Sequence, residues 1–157
     1  MVAFPPCKIN LGLQILSRRP DGFHSIQTCF YPVPWTDVLE VLPSDSFPFS
    51  QTGFAIPGKP DENLCVKAYH LLRKDFDIPS VRIHLHKIIP TGAGLGGGSS
   101  DAAHLLKSLN EVCNIGLPEE KLLHYARLLG SDCPFFIQSR PAIGTGRGDV
   151  LEPFKPE

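Results

Sequence analysis

Between an alternating apolar segment and an amphipathic helix pattern lies the run Pro90-Thr-Gly-Ala-Gly-Leu-Gly-Gly-Gly-Ser-Ser-Asp-Ala-Ala103. Five glycines within residues 92–98 remove the side chains that would hold an anion off the backbone, so several N–H groups can converge on it. The spacing predicts a helix that begins near Ser99, whose partial positive N-terminus and the hydroxyls of Ser99 and Ser100 add to the attraction. The whole run (Pro90, Thr91, Gly92, Ala93, Gly94, Leu95, Gly96, Gly97, Gly98, Ser99 and Ser100) therefore reads as a cradle for a polyphosphate. A flexible linker would not pass directly into Ala102, Ala103, Leu105, Leu106, Leu109 and Val112, which write one apolar helix face.

Two other glycine-rich phosphate sites compete for this pattern. The nucleoside triphosphatase loop requires Gly-Lys followed by Ser or Thr, and the run contains no Lys. The dinucleotide fingerprint G-x-G-x-x-G is present at Gly92, Gly94 and Gly97, flanked as it should be by strand and helix patterns. That fold then requires a second strand ending in an acid. The chain instead gives Leu117-Pro-Glu-Glu-Lys-Leu-Leu-His-Tyr-Ala-Arg-Leu-Leu-Gly130, a second helix with Pro near its start and Gly at its end.

Composition narrows the partners. A chain of 157 residues with 42% hydrophobic and 20% charged residues can bury one ordinary core. Its net charge of -1 argues against a broad nucleic-acid or anionic-membrane surface, so phosphate recognition has to come from a pocket of local donors. Five cysteines without C-x-x-C spacing fit neither a disulfide framework nor a zinc site, and reduced thiols in a cytoplasmic protein are expected. The strand pattern begins within a few residues of Met1, and no apolar run reaches membrane-spanning length, so neither a targeting segment nor a membrane span is expected.

Along the chain, Cys7, Ile9, Leu11, Leu13 and Ile15 alternate with Lys8, Asn10, Gly12 and Gln14, predicting a half-buried strand whose polar face carries Lys8 and Asn10. Pro20-Asp-Gly22 reads as a turn, and residues 24–33 and 37–42 as further strands, interrupted by prolines around Trp35. Asp61 or Asn63 can cap a helix carrying Leu64, Ala68, Leu71, Leu72 and Phe76. Val81, Ile83 and Leu85 then alternate with Arg82, His84 and His86 in a strand that delivers the chain to the glycine run. His84 and His86 share a face but lack a third ligand, a poor metal site. Asp132 is expected on a loop entering a strand, because Pro134 biases Cys133 towards extended backbone. Lys8, Asn10 and Asp132 are the polar residues drawn towards the phosphate run, although by pattern alone each reads as an ordinary surface residue.

Four segments in order, Pro6-Cys-Lys-Ile-Asn-Leu-Gly-Leu13, Arg18-Arg-Pro-Asp-Gly-Phe-His-Ser25, Pro90 to Ala103 and Gly130-Ser-Asp-Cys-Pro-Phe-Phe136, make the chain resemble the GHMP kinase superfamily. Within it, the triple glycine and the Asp-Gly-Phe-His segment are similar to members that act on 4-diphosphocytidyl-2-C-methyl-D-erythritol in the non-mevalonate isoprenoid route. The resemblance implies an α+β domain over residues 1–157, related to the second domain of ribosomal protein S5, with helices packed on a mixed sheet. It implies ATP as phosphoryl donor, Mg2+, and transfer to the 2-hydroxyl of that cytidine-diphosphate methylerythritol substrate. Asp132 matches the family's catalytic aspartate and Lys8 its catalytic lysine; Asn10 would orient the substrate. Phe23 and His24 match the segment that holds the cytosine, with Phe23 standing where Tyr is more familiar. For magnesium, the Ser100 hydroxyl is the first candidate and Asp101 the second, with no ligand assigned. The resemblance covers only the N-terminal half of the family, so an absent C-terminal domain is the expected partner. A nucleotide-binding module without catalysis, another small-molecule kinase of the superfamily and an RNA-binding domain of the S5 type are the alternatives.

Overall fold

A computed structural model of the chain describes residues 1–155. It contains eight strands, β1 (Val2–Ala3), β2 (Pro6–Arg18), β3 (His24–Thr36), β4 (Val38–Pro43), β5 (Phe49–Gly53), β6 (Val81–Lys87), β7 (Ala142–Thr145) and β8 (Val150–Pro153). Four helices accompany them, α1 (Leu64–Asp75), α2 (Gly97–Val112), α3 (Glu119–Leu129) and α4 (Cys133–Gln138), with a short 3-10 turn at Pro60–Glu62. The strands form two sheets of four, ordered β1-β4-β6-β5 and β2-β3-β7-β8. The first is mixed, because β5 runs parallel to β6, and the second is antiparallel throughout. This is an α+β architecture.

The helices form where apolar spacing and caps agree. The Asn63 side chain accepts from the Cys65 N–H at 2.8 Å and starts α1, which buries Cys65, Val66, Ala68, Tyr69 and Leu72. Helix α2 buries the face read from its spacing, except that Val112 is only partly covered. Leu39, Val41, Ile83 and Leu85 of the mixed sheet meet these helices, and Phe135 and Phe136 of α4 complete the core. Helix α3 opens at Pro118 and closes at Gly130, as the pattern predicted.

Three readings of the sequence require correction. Helix α2 begins at Gly97 rather than Ser99, because the left-handed Gly96 already turns the chain into it. Asp132 leads into helix α4 and not a strand: Pro134 falls in the first turn, where its missing N–H costs nothing. The third concerns β2. Cys7 is buried, but Ile9, Leu11, Leu13 and Ile15 are 38–66% exposed, while Lys8 is 5% exposed. Alternation reports which residues share a face, not what covers that face, and among the described residues β2 is an edge strand paired with β3 alone. Gly12, with φ of +75°, lies where the β2–β3 register shifts between Leu11 and Leu13. Strand β3 also runs through Pro32 and Pro34 to Thr36; its β7 neighbour pairs only over Thr28, Cys29 and Phe30, leaving the prolines beyond that ladder.

Candidate active site

Strand β6 delivers the chain to the glycine run, and the backbone there is built for close approach. Gly92, Gly94 and Gly96 have φ of +77°, +74° and +70°, left-handed values that side chains resist. A Cβ on Gly92 or Gly94 would meet nothing within 4 Å, so that part of the loop presents open backbone. Gly96 is different: a Cβ would lie 2.8 Å from the Phe136 ring and 3.2 Å from Lys8 Cγ. Gly96→Val is therefore expected to displace the loop and weaken ATP at least about tenfold, read by calorimetric titration, because backbone N–H groups lose their convergence. Gly98→Ala, whose Cβ would touch only Leu64 Cδ1 at 4.0 Å, is the stability control. In a helix it should be neutral or stabilising by up to about 1 kcal/mol.

Strand β2 is fastened to this loop by Lys8 N–H donating to Leu95 O at 2.9 Å. On the Lys8 side chain, Nζ donates to Asn10 Oδ1 at 2.7 Å, Asn10 Nδ2 donates to Thr28 Oγ1 at 2.9 Å, and Thr28 Oγ1 donates to Gly12 O at 2.6 Å. The ammonium also lies 5.1 Å from the centre of the Phe30 ring. Asp132 enters from α4, placing Oδ2 3.6 Å from Lys8 Nζ. That is an ion pair too long for a hydrogen bond, and the Asp132 side chain makes no cap on its own helix. Lys8, Asn10, Asp132 and the loop are thus brought together. The carboxylate keeps an accepting oxygen in a cleft where it is 33% exposed, and the cation beside it is desolvated. Burial pushes the adjacent Cys133 thiol up to about 11, so it stays protonated beside this pair.

Beneath the loop is a cluster the sequence reading missed. Lys87 Nζ donates to Asp101 Oδ2 at 2.8 Å and to Asp37 Oδ2, and all three side chains are at most 2% exposed. Asp37 Oδ1 also accepts from Ile88 N–H at 2.6 Å and Ile89 N–H at 2.8 Å, fixing the backbone that enters the glycine run. Burial pushes the Asp101 carboxyl up to about 7 against the pull of Lys87, since Asp37 also faces that one cation. Burial alone would depress Lys87, but the charge and hydrogen bond of Asp101, followed by those of Asp37, raise it. A signal existed: Lys87 continues the inward phase of Val81, Ile83 and Leu85.

Ser100 Oγ and Asp101 Oδ1 are buried without a hydrogen-bond partner among the described residues. Burial lowers the pKa of His104 to about 4, so its ring is neutral where Nδ1 meets Ser100 O at 2.9 Å. Beside the loop opens a cavity of about 180 Å3 lined by Ile56, Pro57, Glu62, Asn63, Leu64, Lys87, Thr91, Gly98 and Asp101. Phe23 and His24 do not join this cluster. They sit at the far end of the β2–β3 hairpin, where His24 pairs with Arg18 and both side chains are exposed. His84 and His86 bond to Ser50 and Thr52 of β5 rather than facing the loop. Among the described residues no three His, Cys, Asp or Glu side chains converge as a metal site.

Glycine loop, helix start and a Lys–Asp pair thus come together on one α+β frame. Residues 63–140 match the GHMP kinases N terminal domain, and the chain belongs to the GHMP kinase family. It is 52% identical over 157 residues to the 4-diphosphocytidyl-2-C-methyl-D-erythritol kinase of Bacteroides fragilis, covering 98% of this chain and 57% of that protein. It is 50% identical over 151 residues to the enzyme of the same name from Cytophaga hutchinsonii, covering 96% and 56%. A crystal structure of 4-(cytidine 5'-diphospho)-2C-methyl-D-erythritol kinase superposes with a TM-score of 0.83 at 40% identity, over 98% of this chain and 55% of that one. Mevalonate kinase from Methanococcus jannaschii shares the fold, with a TM-score of 0.75 at 14% identity. The chain spans a little over half the length of the curated relatives it matches.

Proposed function

We propose that the chain is the ATP-binding domain, over residues 1–157, of a kinase that phosphorylates the 2-hydroxyl of 4-diphosphocytidyl-2-C-methyl-D-erythritol. The observation that carries this reading is the Lys8–Asp132 pair set against the glycine loop. Asp132 accepts the hydroxyl proton as that oxygen attacks the γ-phosphate, and Lys8 offsets the negative charge gathering on the transferred group. Asn10, held by Lys8 and Thr28, presents its amide to the acceptor. Residues Pro90 to Ser100 cradle the phosphates, and the adjoining cavity receives the adenosine. Phe23 offers a ring on which cytosine stacks, with His24 reading a base edge.

Magnesium suits the oxygen donors present: among the described residues neither the buried Ser100 hydroxyl nor Asp101 Oδ1 has a hydrogen-bond partner. Ser100 would hold the ion together with the phosphates, and the ion would neutralise their charge. A second domain, of the kind the relatives' extra length provides, is the partner proposed to close the cleft. A cytoplasmic setting belongs to the same reading and accords with the free cysteines.

The test is ATP consumption by the chain with and without the cytidine-diphosphate substrate, with Asp132→Ala as blank. Substrate-dependent consumption lost in the blank is the expected result. Protection of the fold by ATP with no turnover would leave a nucleotide-binding half that depends on further chain. Absence of binding would overturn the kinase reading.

A further inference from the structure

The turn between β7 and β8 reaches across to the tip of the β2–β3 hairpin, and Arg147 is the residue it delivers. Its guanidinium carbon lies 4.9 Å from the centre of the Phe23 ring. Phe23 is 51% exposed and, having no hydroxyl, cannot anchor its ring by a hydrogen bond. The turn itself is held firmly. Ile26 N–H donates to Gly146 O at 2.8 Å, Gly148 N–H to Thr145 O at 3.0 Å, and Arg147 N–H to Asp149 Oδ1 at 3.0 Å. Gly148 packs so closely that a Cβ would lie 3.2 Å from Phe30, the ring beneath the Lys8 ammonium. Arg147 is therefore placed by the fold.

We propose that Arg147 is a positioning residue for pyrimidine recognition, holding one face of Phe23 so that the other face is a fixed platform for the base. This rests on the reading of Phe23 as the cytosine platform. A direct contact to the substrate's diphosphate is the less favoured role, because the guanidinium's charge is already answered on the protein. Arg147 Nη2 lies 3.5 Å from Asp149 Oδ2, and Arg147, together with the closer Arg19, faces Asp21. A cation so flanked attracts a further anion weakly, whereas its contact with the ring remains intact. A cation over an exposed ring is worth enough to change affinity about two- to fivefold.

The test is titration of the 157-residue chain with cytidine, with cytidine diphosphate and with ATP, followed by the aromatic 1H–13C signals of Phe23 and the amide signals of residues 91–99. Arg147→Gln is expected to weaken cytidine and cytidine diphosphate equally, by about threefold, and to leave ATP unchanged. In a Phe23→Leu background the same substitution should have no further effect, a coupling that a merely structural role for Arg147 would not produce. Loss confined to cytidine diphosphate would overturn the platform role in favour of a phosphate contact. Additive losses in the double variant would overturn it in favour of two independent contacts. If ATP shifts the loop signals but cytidine leaves the Phe23 signals of the unsubstituted chain unmoved, the base-site reading falls, and this inference with it, while the kinase reading survives.

Discussion

Asp132→Asn is expected to lower phosphoryl transfer about 10²- to 10⁴-fold, the range a positioned general base contributes, while ATP affinity stays within about threefold. The split follows from geometry. Asp132 immediately precedes α4 and is not part of the glycine backbone. Its 3.6 Å separation from Lys8 Nζ leaves the carboxylate supported by charge yet not consumed by a hydrogen bond, since the lysine's short bond goes to Asn10 at 2.7 Å. Asparagine keeps the shape and the carbonyl oxygen but cannot take a proton. Lys8→Met should be of similar severity, and the double variant little worse than either alone, because the two groups act as a unit. Single-turnover transfer and calorimetric ATP titration, on these 157 residues and on a chain of the relatives' length, separate chemistry from binding. Equal loss of both quantities in Asp132→Asn would remove the base assignment.

What was legible in the sequence was mostly local. The glycine run, the apolar face of α2, the α1 cap, read as Asp61 or Asn63, and the Pro118-to-Gly130 limits of α3 each depend on residues within a few turns of one another. Pairings distant in sequence were not legible from pattern. Lys8 alone reads as a solvated strand lysine, and only the packing of β2 against the loop buries it; the family resemblance, not its spacing, singled it out. The same limit reversed β2: the Ile9 to Ile15 alternation is real, but those side chains stay exposed while α4 packs on Phe30 of the neighbouring β3. Asp132 failed for a narrower reason. Proline disfavours helix for the residue before it, yet it is also welcome in a helix's first turn, and the bulky Phe135 and Phe136 gave α4 a core to join. Asp37 was missed because it follows a proline-rich stretch with no motif around it, although Lys87 carried a usable signal in its buried phase.

The second large effect concerns that buried triad. Lys87→Met should destabilise the fold by about 3–5 kcal/mol, the cost of removing one partner from a buried ionic cluster, because Asp37 and Asp101 would be left facing each other without a cation. Asp37 also holds the Ile88 and Ile89 amides, so the entrance to the phosphate loop should loosen and ATP affinity should fall with stability. Asp101→Asn should behave differently. The Asp101 carboxyl binds its proton more tightly in the native state, with a pKa pushed up to about 7 from 3.8, so between those values the folded chain carries more protons than the unfolded one. This contribution is fully present below pH 3.8 and is lost as pH rises through about 7. Asparagine, which does not titrate, should flatten that fall in stability between about pH 4 and 7 while retaining an oxygen for Lys87. Urea unfolding of the parent chain and both variants across this range is the measurement. A parent curve that keeps rising to neutral pH, with no change of slope in Asp101→Asn, would mean that Lys87 holds the Asp101 carboxylate ionised. Lys87 would then be a stronger organiser of the loop than the raised Asp101 pKa implies.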